Sequence, residues 1–247
     1  MKKIGMLLSL LCLLFLTACG EATLADGTWT EMENQAFDFY QATGVSESEE
    51  PFDTDLFRFD LNGDPDYSYH PKGWLDEDTV LCTRREKASL DGPTELAAVT
   101  LDGTVTKLDA DIDAYTMVAV QDGVVAYGGL YETVLPDGVT FARWDGDETL
   151  EPVYQFQDGD ALSFQQFFSP DGTKAVLTWC PQVPSADWTV RLIDLSIGQA
   201  QDLTLPAWSG QDAVHVLYAR WLDDSTLQIT AVTPEEEETV TWQYALP

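Results

Sequence analysis

The chain has 247 residues, 45% of them apolar, enough for one sizeable core or two small ones. Its eight tryptophans suit a strand-rich fold. A formal charge of -31 excludes nucleic acid and anionic lipid headgroups as natural electrostatic partners.

The first segment in chain order is a targeting signal. Lys2 and Lys3 form a charged n-region, and Ile4 to Leu16 form an apolar h-region too short for a comfortable membrane span. Leu16-Thr17-Ala18-Cys19, followed by Gly20, resembles the lipobox of bacterial lipoproteins. The resemblance implies cleavage after residue 18 and lipidation of Cys19. It makes the expected site extracytoplasmic, at the outer face of a bacterial membrane, reached through an N-terminal lipid. Without residues 1–18 the chain keeps 10 basic side chains against 43 acidic ones, a charge of -33. Residues 19–27 then read as a lipidated tether or a short closing strand, and 28–247 as the folded domain.

That domain is repetitive. An aromatic or apolar anchor stands before a tight turn at Trp29, Trp74, Val120, Phe168 and Trp221, a spacing of about 45 to 53 residues that signals a repeat array. Trp74-Leu75-Asp76-Glu77-Asp78-Thr79-Val80-Leu81-Cys82 and Trp221-Leu222-Asp223-Asp224-Ser225-Thr226-Leu227-Gln228-Ile229 are near copies. Asp122-Gly123, Asp171-Gly172, Asn62-Gly63 and Asp102-Gly103 are strong hairpin signals. The second half of each repeat predicts two more strands, for example Val139 to Trp144 with Leu150 to Phe156, and Trp188 to Leu195 with Gln201 to Leu205.

Four short antiparallel strands recurring at this period predict an all-β, β-propeller-like domain of five four-stranded blades. The repeats fall near 28–70, 71–110, 111–157, 158–206 and 207–247. The fifth lacks a last strand, so an N-terminal segment such as Glu21 to Ala25 is expected to close the ring. A β-sandwich or an incomplete propeller are the competing architectures. Phe168-Ser169-Pro170-Asp171-Gly172-Thr173-Lys174, with Arg191 to Leu195 after it, resembles the WD40-like (PD40) repeat of TolB-type propellers. That motif is structural, since proline presets a turn and glycine tolerates positive φ.

Catalytic signatures are sparse. No Gly-x-Ser-x-Gly elbow occurs, and the two histidines, His70 and His215, both lie on predicted strands. A propeller glycosidase needs carboxylates facing across the channel. The predicted innermost strands, near 22–26, 70–74, 114–120, 161–168 and 213–221, contain only Asp26, with Asp113 at a border. Asp60 to Asp66 resembles half of a calcium loop, but its glycine is misplaced, and it reads better as a hairpin turn. Of the cysteines left after cleavage, Cys82 and Cys180 fit small buried hydrophobes, and a disulfide is permitted outside the cytoplasm. No metal and no cofactor is expected.

The leading reading is a non-enzymatic binding or scaffolding module at a cell surface, with a protein or envelope polymer as partner. The alternative is a propeller enzyme acting on carbohydrate or another extracellular polymer. In a four-stranded meander the turns after strands one and three leave on one side; here they are short. The connections after strand two leave on the other and are long, as at 83–95 and 180–187. Arg84, Arg85 and Lys87 lie in the first of these and form a positive spot, expected to meet an acidic partner or to neutralise Glu47, Glu49 and Glu50.

Overall fold

The structure is a computed structural model that describes residues 26–32, 64–88, 94–110, 112, 116–129, 134–135, 138–162, 167–182, 188–206, 215–232 and 239–247. These residues form seventeen strands and no helix. The first is β1 (Thr28–Met32). A first sheet holds β2 (Tyr67–Trp74), β3 (Thr79–Glu86), β4 (Thr94–Thr100) and β5 (Val105–Lys107), in that spatial order. A second holds β6 (Met117–Gln121), β7 (Val124–Gly128), β9 (Val139–Trp144) and β10 (Leu150–Phe156). A third holds β11 (Asp160–Leu162), β12 (Lys174–Cys180), β13 (Thr189–Asp194) and β14 (Gln199–Leu203), with β8 (Val134–Leu135) added beyond β11. The last holds β15 (His215–Asp223), β16 (Thr226–Val232), β17 (Thr239–Ala245) and then β1.

All pairings within the sheets are antiparallel, and chain order follows spatial order in three of the four sheets apart from β8. Each sheet shares a core with the next in sequence. Leu81, Leu96 and Ala98 of the first meet Val125 and Ala142 of the second. Phe141 and Phe156 of the second meet Leu177 and Ile193 of the third. Val176 and Leu192 of the third meet Trp221, Leu227 and Ile229 of the last. Because sheets cover sheets, inner strands are apolar on both sides: Thr79 to Thr83 are buried without interruption, as are Leu227 to Val232. This is a propeller-like arrangement of meander blades.

The tight turns are what the sequence indicated. Asp122 and Gly123 both take positive φ, 47° and 73°, the pattern of a type I′ two-residue hairpin. At the next blade, Ser169 is wholly buried. Its hydroxyl donates to Asp171 (2.6 Å) and accepts from the Lys174 amide (3.0 Å). Gly172, at φ 65°, completes that turn with its amide on the Ser169 carbonyl. A Cβ there would stand 3.0 Å from the side chain of Asp122.

Three expectations are corrected. Trp29 does not anchor a first repeat. It lies on the outermost strand of the last sheet, its ring 4.7 Å from that of Tyr244 and 6.4 Å from that of Trp242. The strand completing the last sheet is therefore Thr28–Met32, one step later than the expected Glu21 to Ala25, which lies outside the described residues. Tyr67 to His70 is not the end of a first blade but the start of β2, which continues to Trp74 through a bulge between Pro71 and Gly73. Proline cannot donate to the ladder, so the strand bends there and resumes. Four sheets stand among the described residues; the remainder of the first expected repeat, 33–63, lies outside them, with Asn62-Gly63. Cys82 and Cys180 are free thiols, both buried.

Candidate functional site

The two ends of the blades differ. At one end lie the turns after first and third strands. They are short and laced from blade to blade. Gln121 of the second blade donates to the Pro170 carbonyl of the third (3.1 Å). The Asp171 amide of the third donates to the Asp224 carboxylate of the last (2.8 Å), and Lys174 donates to the Asp224 carbonyl (3.3 Å). Below them Trp221 donates its indole N–H to the Phe167 carbonyl, again across the third boundary (3.1 Å).

At the other end leave the connections after second strands and the links between blades. The sequence places the basic residues Arg84, Arg85 and Lys87 in a connection running from 83 to 95. The structure shortens that connection. The β3–β4 ladder continues out to the pair Arg85 and Thr94, so Arg84 and Arg85 are strand residues, and Lys87 begins the turn. The reason is a matched pair: Arg84 faces Glu95 across the ladder. Its Nε and Nη2 each lie 3.0 Å from Glu95 Oε2, and its guanidinium sits 4.5 Å over the Tyr67 ring. Lys107, on the far side of β4, reaches the other Glu95 oxygen at 2.5 Å. The Arg84 side chain is 14% exposed, so this arginine is largely committed to its own sheet. Its carboxylate partner here is Glu95; Glu47, Glu49 and Glu50 lie outside the described residues.

Beside this pair, Asp64 organises the entry to β2. One of its oxygens accepts the amides of Asp66 (2.8 Å) and Tyr67 (3.0 Å), and the other accepts the Tyr69 hydroxyl (2.8 Å). Lys87 donates to the Asp64 carbonyl (2.5 Å). The amide of Asp66, more than any other contact, holds the Asp64 carboxyl below its ordinary value. Glu95 is likewise held low, first by Lys107 and then, against the opposing effect of burial, by Arg84. The cluster thus joins both signs in one hydrogen-bonded patch, legible in part from the opposite charges at 84 and 95.

A second ionic cluster, which sequence reasoning passed over, sits between the second and third blades. Arg191 on β13 bonds Asp202 through Nε (2.6 Å) and Nη2 (2.8 Å), and also reaches Asp158 and the Tyr154 hydroxyl. Its guanidinium lies 4.8 Å from the Trp179 ring centre and 5.2 Å from that of Phe156. It ties Tyr154 and Phe156 of the second blade to Trp179 and Asp202 of the third, which makes this a clamp between blades.

The inner strands carry two carboxylates at their limits. Asp160 opens β11 at the long-connection end, and Asp223 closes β15 at the short-turn end. Asp26, expected on an inner strand, instead precedes the outermost strand of the last blade. His70 is on β2 and exposed, its carbonyl accepting from Thr83 (3.4 Å); His215 opens β15. Burial pushes the Cys82 thiol up to about 12 and raises that of Cys180, so neither is a ready nucleophile. Among the described residues no group of three His, Cys, Asp or Glu could hold a metal ion. β8, inside the connection between β7 and β9, pairs with β11, so the second blade's connection extends the inner edge of the third sheet.

No family model matches the chain, and no curated protein matches it. Among solved structures, an oligogalacturonate lyase in complex with manganese is similar at 13% identity with a TM-score of 0.40, over 88% of this chain. The chain spans 60% of that protein's length.

Proposed function

We propose that this chain is an extracytoplasmic lipoprotein. Cys19 carries the lipid, and the propeller-like domain, of the TolB-like kind, is a non-enzymatic binding or scaffolding module. The observation that carries the reading is the asymmetry of the blade ends. One end is closed by short turns bonded to one another across three blades, a rigid base. The other end gathers the longer connections, where a rigid scaffold offers recognition surface. The partner is a protein or an envelope polymer, met at that second end beside Arg84, Arg85 and Lys87. The body's strong negative charge opposes nucleic acid as partner.

Photo-crosslinking on intact cells tests this. Crosslinkers at the exposed positions Ala88 and Gln182, at the long-connection end, are expected to trap a partner. Crosslinkers at Asp102 and Asp224, at the short-turn end, are expected to trap none. Adducts confined to Asp102 and Asp224 would reverse the assignment of the face. Cys19→Ala should move the protein from the membrane to the soluble fraction or leave an uncleaved precursor. A mature Cys19→Ala protein still on membranes would sink the anchor.

A further inference from the structure

We infer that the short-turn end of the propeller faces the membrane and the long-connection end faces away from it. This rests on the Cys19 anchor proposed above and adds the geometry of where the anchored chain enters the fold. β1 runs along the outer edge of the last blade with Thr28 opposite Ala245 and Met32 opposite Thr241. Ala245 in turn stands opposite Thr226, the first residue after the short turn of that blade. The Leu246 amide bonds the Ser225 carbonyl in the same turn (2.8 Å). The chain therefore enters the domain at the short-turn end.

The entry point is pinned as well as placed. The Gly27 amide donates to the Tyr244 hydroxyl at 2.7 Å. A Cβ on Gly27 would come within 2.3 Å of the Ala245 carbonyl oxygen and 2.6 Å of the Tyr244 ring, so only glycine fits. Eight peptide units separate Cys19 from Gly27. Such a segment spans about 28 Å when fully extended and about 15 Å on average when flexible. An eight-residue strand such as β3 is about 26 Å long, which sets the distance between the two ends. Bringing the far end to the bilayer would need the tether stretched along the whole height of the rim.

The chemistry of the near end agrees with a face held beside the membrane without inserting in it. Asp76, Asp78, Asp122, Asp171, Asp223 and Asp224 are all exposed there. Among the described residues, two basic side chains there bond neighbouring blades: Arg143 donates to the Leu195 carbonyl (3.5 Å) and Lys174 to that of Asp224 (3.3 Å). The exposed carboxylates of this surface repel anionic headgroups, so the lipid keeps it close. The long-connection end is then presented to whatever approaches from the bulk side, and a partner buried in the bilayer is excluded.

Energy transfer to a lipid surface tests the orientation. Glu77→Cys and Glu86→Cys place a dye at the two ends of β3, each replacing one exposed carboxylate. Cys82 and Cys180 are buried and stay unlabelled in the folded protein. The lipidated protein is reconstituted into phosphatidylcholine vesicles with acceptor dye on the outer headgroups. Transfer from Glu77→Cys should exceed that from Glu86→Cys by at least about twofold, given the strand's length. Equal transfer, or stronger transfer from Glu86→Cys, overturns the orientation. The same pair in a chain beginning at Gly20, without the signal segment and Cys19, should show no transfer at either position. Transfer surviving the removal of residues 1–19 would instead overturn the anchor, which separates the two failures.

Discussion

Trp221 donates its indole N–H to the Phe167 carbonyl at 3.1 Å across the boundary between the third and last blades. The tryptophan belongs to an inner strand and is 4% exposed; its acceptor sits just before the Ser169-Pro170-Asp171-Gly172 turn. Repeat anchor and neighbouring turn are thus one physical unit. Trp221→Phe keeps most of the apolar contact but leaves the carbonyl without its donor, at a cost of about 1–3 kcal/mol. Trp221→Ala adds a cavity and should cost about 3–5 kcal/mol. Urea unfolding of both variants measures it. A Trp221→Phe protein as stable as the wild type would mean that the hydrogen bond contributes nothing beyond packing.

Glu95 offers a pH test. Its carboxyl is held below the ordinary value of 4.5, chiefly by Lys107, with Arg84 adding to it against burial. A carboxylate depressed in the folded state contributes stability above its unfolded value, and that contribution is lost as pH falls through the folded one. Glu95→Gln should therefore lower the melting temperature at pH 7. The gap to the wild type should stay constant down to about pH 5 and close as the pH drops further below 4.5. A gap that persists into strong acid would show that the substitution acts by packing. A double-mutant cycle of Glu95→Gln with Arg84→Met should return about 0.5–1 kcal/mol of coupling. Reversing Arg84 to Glu would set two carboxylates opposite each other and should destabilise the first blade outright.

How much of this fold was legible depends on how local its causes are. Val139 to Trp144 and Leu150 to Phe156 were readable end to end because turn residues bound them. Asp122-Gly123 and Asp171-Gly172 name their own turns. The closing strand was readable in kind but not in place. Thr28–Met32 is defined by a partner strand at Thr239–Ala245, and its Trp29 read instead as the anchor of a first repeat. β8 is two residues long and exists only because β11 leaves its inner edge open. At Arg84 the polarity of Thr83-Arg84-Arg85-Glu86 read as a loop, whereas cross-strand pairing with Glu95 carries the ladder three residues further, to Arg85. The Arg191 cluster was hidden for the same reason: its members at 154, 158, 179 and 202 meet only once two blades are packed.

That cluster supports a last prediction. Arg191 engages both oxygens of Asp202 with its planar fork, while Trp179 and Phe156 lie within cation–π distance of it. The Trp179 indole also donates to Asp202 (3.3 Å), so carboxylate, guanidinium and ring are mutually oriented. Lysine keeps the charge but has neither the fork nor the flat face. Arg191→Lys should cost about 1.5–3 kcal/mol, the range for hydrogen bonds to a charged group. Its partner side chains are well exposed at Asp158 (59%) and moderately at Asp202 (41%), so water compensates for part of the ionic loss and the lower half of that range is expected. Since the arginine bridges the second and third blades, the change in total tryptophan emission on unfolding should also be smaller, the Trp179 ring being already loosened in the folded variant. An Arg191→Lys protein with unchanged unfolding free energy and unchanged tryptophan emission would show that the clamp orders side chains without holding the blades together.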